Sequence, residues 1–117
     1  MDKEISNRGF IVLRYKTPYK LWAEQCNVLE DSDLVTHLKH QRIYMIDFVD
    51  PDDEEELDEI IKENYPCIFE RELASWNNIK REWPMSRSFE MFKEWFDITV
   101  TDVGYDLSNE QLAYEKE

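Results

Sequence analysis

The side chains best placed to do chemistry are carboxylates. Residues 47–63 hold ten Asp or Glu and a single Lys. A calcium loop opening at Asp50 would need Gly at its sixth position and Glu at its twelfth, and these are Glu55 and Ile61, so the loop rule fails. Read as a helix, the stretch puts Asp52, Glu56, Glu59 and Glu63 in one narrow stripe opposite Leu57 and Ile61. Neighbours at i,i+3 and i,i+4 lie roughly 5–6 Å apart, and like charges so placed cost a helix a few tenths of a kcal/mol per pair. A row of carboxylates at that spacing resembles a phosphate backbone and also suits a basic protein surface. The plain alternative is a solvated face that keeps the chain soluble.

Other chemistries find less support. His37 and His40 share a helix face at a chelating spacing, but no third His or Cys stands near to complete a metal site, so surface histidines are expected and no metal. Cys26 and Cys67 belong to no CxxC or Cys/His cluster and read as buried reduced thiols. There is no GxSxG, HExxH, P-loop or GxGxxG, so no nucleotide or other cofactor is expected. An enzyme built from this chain would rest on carboxylates in a cleft, with Asp47 or Asp97 as the acid to look for. Trp22, Trp76 and Trp95 recur at core spacing. Trp83, before Pro84 and outside any period, either caps the core or anchors a partner at the surface.

The bulk properties narrow the partners. The chain has 117 residues and a net charge of −13, and the excess is uneven: residues 1–43 carry seven Lys/Arg against six Asp/Glu, and residues 44–117 carry seven against twenty-one. Such a field repels nucleic acid and anionic membranes and attracts basic partners. The longest apolar run near the N-terminus is Phe10 to Leu13, too short for a signal peptide or a membrane span, so a cytoplasmic protein is expected. The length suits one domain over residues 1–117, with residues 1–8 and 108–117 frayed.

The elements that must position these groups follow from periodicity. Phe10–Tyr15 reads as a central strand, apolar on both faces. Thr17 and Pro18 read as N-cap and first residue of a helix whose stripe is Tyr19, Trp22, Ala23, Cys26 and Leu29. A short helix is expected near Leu34–Leu38, then a second central-type strand over Arg42–Phe48. A helix opened by Asp50-Pro51 buries Leu57, Ile60 and Ile61 and ends or kinks at Pro66. A separate helix from Cys67 to Trp76 buries Ile68, Phe69, Leu73 and Trp76. The densest tract is Met85–Val100, where Met85, Phe89, Met91, Phe92, Trp95 and Phe96 share one helical arc before the period changes to two. Ile98 and Val100 then point one way and Thr99, Thr101 and Val103 the other, the pattern of an edge or half-covered strand, with Tyr105 and Leu107 as a last buried patch. The expectation is an α+β fold: a small three-stranded mixed or antiparallel sheet with about four helices packed on it, in the order β-α-(α)-β-α-α-α-β. The first two strands are far enough apart to be a parallel crossover pair.

Trp83-Pro84, Arg87, Phe89-Glu90-Met91-Phe92 and Trp95-Phe96-Asp97, followed by a strand, resemble a tract of small acidic bacterial proteins to which no activity is attached. The resemblance implies a bacterial, single-domain protein and assigns no functional residue. From the residues themselves, the leading expectation is a non-enzymatic interaction domain: an inhibitor, immunity-type protein or nucleic-acid mimic whose face at Asp52, Glu56, Glu59 and Glu63, with Trp83, engages a basic protein. The rival is a small enzyme or ligand-binding protein with a pocket between sheet and helices and a buried carboxylate.

Overall fold

The strand β2 (Arg8–Tyr15) is flanked by β3 (Arg42–Asp47) on one side and β4 (Phe96–Thr101) on the other, all antiparallel, in a computed structural model that describes residues 3–26 and 41–115. Ile11 pairs with Tyr44 and Val100, and Leu13 with Arg42 and Ile98. In a pleated strand alternate side chains share a face. Ile11, Leu13 and Tyr15 therefore turn together toward the helices and are buried, as are Ile46 on β3 and Phe96 on β4. A second, two-stranded sheet pairs β1 (Lys3–Glu4) with β5 (Tyr105–Asp106), tied further by the Ile5 amide donating to the Gly104 carbonyl at 2.8 Å.

Within the stretch 1–8 that was expected to fray, Lys3–Glu4 are thus paired in a strand and Arg8 opens β2. The small sheet lies over Phe10, where a Cβ on Gly104 would come within 2.6 Å of the ring, so the lack of a side chain at Gly104 lets the backbone cover it. Tyr105 and Leu107, expected to be buried, are exposed, and residues 108–115 carry no helix or strand.

Three helices complete the described fold: α1 (Thr17–Gln25), α2 (Glu54–Ala74) and α3 (Phe89–Trp95), with a single 3₁₀ turn at Lys80–Glu82. Thr17 is the first residue of α1, Lys16 occupies the cap, and Pro18 lies in the first turn, where its missing N–H costs no helical bond. α3 is shorter than its apolar arc. The Ser88 hydroxyl accepts from the Met91 amide at 3.1 Å and starts the helix there, leaving Met85 95% exposed outside it. α3 then passes directly into β4. The Lys16 amide donates to the Trp95 carbonyl at 2.9 Å, which locks that junction against the turn between β2 and α1.

The largest departure is α2, one helix of 21 residues where two were expected. Pro66 neither ends it nor separates two elements. Proline removes one backbone bond and clashes with the preceding turn, a cost of about 3 kcal/mol. The apolar stripe nevertheless continues across it, from Leu57, Ile60, Ile61 and Tyr65 to Ile68, Phe69 and Leu73, all against the core. Burial of that stripe outweighs the local penalty, because Pro66 itself is exposed and its ring need not enter the core. Pro66→Ala restores the lost bond and should raise stability by about 1–3 kcal/mol, after allowance for the extra freedom it gives the unfolded chain. A thermal melt in which the variant is no more stable than wild type would contradict this.

Two strand expectations also change. The first two long strands pair antiparallel, not as a parallel crossover. In the order β3-β2-β4 the strand β3 lies at an edge and not in the centre, and it is covered on one face alone, with Ile43 and Met45 66% and 43% exposed. The short helix near Leu34–Leu38, together with His37 and His40, lies outside the described residues. Cys67 is exposed and Cys26 half-buried, so neither is the fully buried thiol expected, and both are free. Among the described residues no helix is long and apolar enough to cross a membrane.

Candidate functional site

The row of carboxylates is only partly the stripe its spacing suggests. Asp53 caps α2, its side chain accepting from the Glu56 amide at 3.1 Å, so Asp52 precedes the helix and sits in a turn with its amide bonded to the Asp50 carboxylate at 3.0 Å. Glu56, Glu59 and Glu63 remain, exposed along the N-terminal half of α2 and on the side away from Leu57, Ile61 and Tyr65. The neighbouring Lys62 is held by Asp58 at 2.9 Å, and no ion pair neutralises Glu56, Glu59 or Glu63 among the described residues. No group of three His, Cys, Asp or Glu converges on a possible metal position among those residues either.

Trp83 does not join this row. It is 8% exposed and belongs to the core, its indole N–H donating to the Asn77 carbonyl at 2.6 Å while the Arg87 guanidinium lies 5.7 Å from its ring. It stands beside the C-terminal half of α2. The surface that the sequence suggested is therefore two separate places, an acidic helix face and a tryptophan-walled cleft.

Asp47 and Asp97 are both exposed, and the buried carboxylate is Glu72, with 0% of its surface open. Three elements supply its partners. Tyr15, at the end of β2, donates its hydroxyl to Oε1 at 2.9 Å, and Tyr44, in the middle of β3, donates to Oε2. Arg42, at the start of β3, brings Nε to 3.2 Å from the Tyr15 hydroxyl and 3.5 Å from Glu72 Oε1. Sheet register explains the convergence, since Tyr15, Arg42 and Tyr44 all occupy the helix-facing positions of adjacent strands. The Glu72 carbonyl is used as well, accepting from the Tyr19 hydroxyl at 2.8 Å and from Ser75 Oγ at 2.9 Å. Tyr15 and Tyr19 stack with centroids 4.5 Å apart.

Burial holds these phenols protonated. It pushes Tyr15 up to about 12, with the Glu72 charge adding to the effect against an opposing hydrogen bond from Arg42. Burial likewise raises Tyr19 and Tyr44 well above the ordinary range, Tyr44 also through its bond to Glu72. Arg42 is held more firmly protonated, first by its bond to Tyr15 and then by Glu72. Folded-state values above the ordinary 10.0 mean that the folded chain keeps these protons more tightly than the unfolded one. Their stabilising contribution is complete below about pH 10 and is lost as pH rises through 12 and beyond. Urea unfolding midpoints should accordingly fall steeply between about pH 10 and 12. A midpoint constant across that window would contradict the buried-phenol reading.

Beside this network an open cleft of about 530 Å³ is lined by Arg42, Cys67, Glu70, Arg71, Ala74, Ser75 and Trp83. Its size falls in the range of small-molecule sites. Sequence reasoning placed none of these residues in a site except Trp83. A signal for Glu72 was present, since a helical projection puts it between Ile68 and Phe69, in the middle of the stripe assigned to the core. No protein-family model matches this chain, and no curated protein and no solved structure is significantly similar to it.

Proposed function

We propose that this protein is a cytoplasmic, non-enzymatic interaction domain whose acidic helix face engages a basic protein. The observation that carries the reading is the row Glu56, Glu59 and Glu63, exposed and in no ion pair among the described residues, on a helix whose opposite side is anchored in the core. Asp52, exposed in the turn before the helix, adds a further negative charge near its start. The helix holds the charges at fixed spacing, so a partner meets an ordered array and not a flexible tail, and repulsion within the row is relieved when cations dock on it. An inhibitor or immunity-type protein that occupies a nucleic-acid-binding site is the narrower form of this function, with the carboxylates in place of phosphates.

Reversing Asp52, Glu56, Glu59 and Glu63 to Lys should abolish partner capture while leaving the fold intact, because exposed substitutions typically change stability by no more than about 0.5 kcal/mol each. Retention of every partner by the folded variant would end this reading. Competition between the protein and DNA or RNA for the captured partner separates the narrower form from general docking.

A second reading, a ligand-binding protein with a pocket between sheet and helix, is favoured by one specific observation. Glu72 is fully buried in the middle of an apolar stripe, directly behind a cleft. Burying a carboxylate costs several kcal/mol even when paired, and an apolar residue of similar volume there is often neutral or better for stability. Departures from local rules of this kind concentrate at functional sites.

A further inference from the structure

We infer that the cleft beside Arg42 binds a small monocarboxylate with a flat apolar body, and that Arg42 is the group that takes the carboxylate. This rests on the second reading above, a ligand-binding cleft, and adds the class of ligand. Arg42 is fixed from behind, its Nε directed at Tyr15 and Glu72. Its Nη1 and Nη2 groups carry no hydrogen bond among the described residues, while its side chain is 40% exposed and lines the cleft. A guanidinium held by one edge presents its other as a planar two-donor fork, which matches a carboxylate bidentately. The buried Glu72 and Tyr15 thus act as the orienting layer behind a binding arginine, which gives the carboxylate a role that core packing does not need.

The rest of the lining defines the ligand's body. Ala74 and the Trp83 ring add apolar surface, and Ser75 adds a hydroxyl whose proton is already committed to the Glu72 carbonyl and which is left as an acceptor. Glu70, paired with Arg87 at 3.4 Å, stands at the same wall. With Glu70 in the lining and a net charge of −13 on the whole chain, a ligand of high negative charge meets repulsion that a single carboxylate largely avoids. A monocarboxylate therefore fits better than a phosphate ester.

The test is a titration of the full, isotope-labelled chain with benzoate, benzamide and phenyl phosphate, each to about 10 mM, followed by amide and indole N–H shifts. Benzoate should move the Ser75 amide and the Trp83 indole N–H saturably, with phenyl phosphate weaker and benzamide weaker still. Arg42→Lys should weaken benzoate at least about tenfold, since an ammonium cannot supply the fork. Because Arg42 also touches the buried network, Ala74→Trp provides a second variant, which fills the cleft from an exposed position and should abolish binding in a folded protein. Equal binding of benzoate and benzamide, indifference to Arg42→Lys, or tighter binding of phenyl phosphate would overturn the ligand class and leave a ligand-binding cleft standing. Silence of the cleft toward all three probes would overturn the cleft and the class together.

Discussion

Glu72→Ala should cost about 3–5 kcal/mol and lower Tm by roughly 10–20 °C. The side chain is fully buried, and its loss takes the Glu72 acceptor from the hydroxyls of Tyr15 and Tyr44 and the counter-charge from Arg42, whose Nε still reaches the Tyr15 hydroxyl. A buried polar group left unpaired costs about 1–3 kcal/mol, and a cavity adds to that. The variants that separate these contributions are informative. Glu72→Gln keeps the shape and one acceptor oxygen, so it should cost less than Glu72→Ala. Glu72→Leu combined with Tyr15→Phe and Tyr44→Phe removes the carboxylate and the two hydroxyls bonded to it at nearly constant volume, leaves Arg42 to turn its half-exposed guanidinium to water, and should recover part of the stability lost by Glu72→Leu alone. Denaturant melts of the four variants check this. If Glu72→Ala lies within about 1 kcal/mol of wild type, the network does not hold the helix to the sheet.

The aromatic seam should be almost as sensitive. Phe69→Ala is expected to cost about 3–5 kcal/mol, against a total stability of about 5–15 kcal/mol for a domain of this kind. Phe69 is completely buried on α2, and its ring lies 5.9 Å from Phe92, 5.6 Å from Trp95 and 5.4 Å, edge-on, from Phe96. One side chain thus joins the long helix to the helix and the strand that follow it. Its removal leaves a cavity bounded by rigid rings that cannot close over it, which places the cost at the upper end for core truncations. Phe69→Leu retains most of the volume and should cost about 1–2 kcal/mol. Equal losses for the two variants would show that the seam relaxes and that ring packing is not what fixes α3 against α2.

These two residues mark where the sequence was readable and where it was not. Phe69, Phe92 and Phe96 were identifiable as core because their spacing follows helical and then strand periods, and the change of period at Phe96 is the observed junction of α3 and β4. The α+β class followed from the same patterns. Pro66 misled because local propensity measures a cost of about 3 kcal/mol and not the burial of a stripe that runs on both sides of it. β3 misled because Ile43 and Met45 are apolar, and a run of apolar residues reads the same at the edge of a sheet as in its centre. Glu72 was legible in principle, lying inside the apolar stripe, but its partners Tyr15, Tyr44 and Arg42 are 57, 28 and 30 positions away and meet it only through strand register. The acidic face was legible as far as α2 reaches. Asp52 was misplaced because Asp53, not Asp50, provides the cap.

The decisive measurement is parallel capture from native cell extract by wild-type protein and by the Asp52, Glu56, Glu59 and Glu63 to Lys variant, at low salt, followed by elution at high salt. A basic protein held by the wild type, released by salt and absent from the folded variant is the predicted outcome, because exposed charge pairing is screened within about 8 Å at physiological ionic strength. A partner that binds both proteins equally, or that salt does not release, would contradict an acidic docking face.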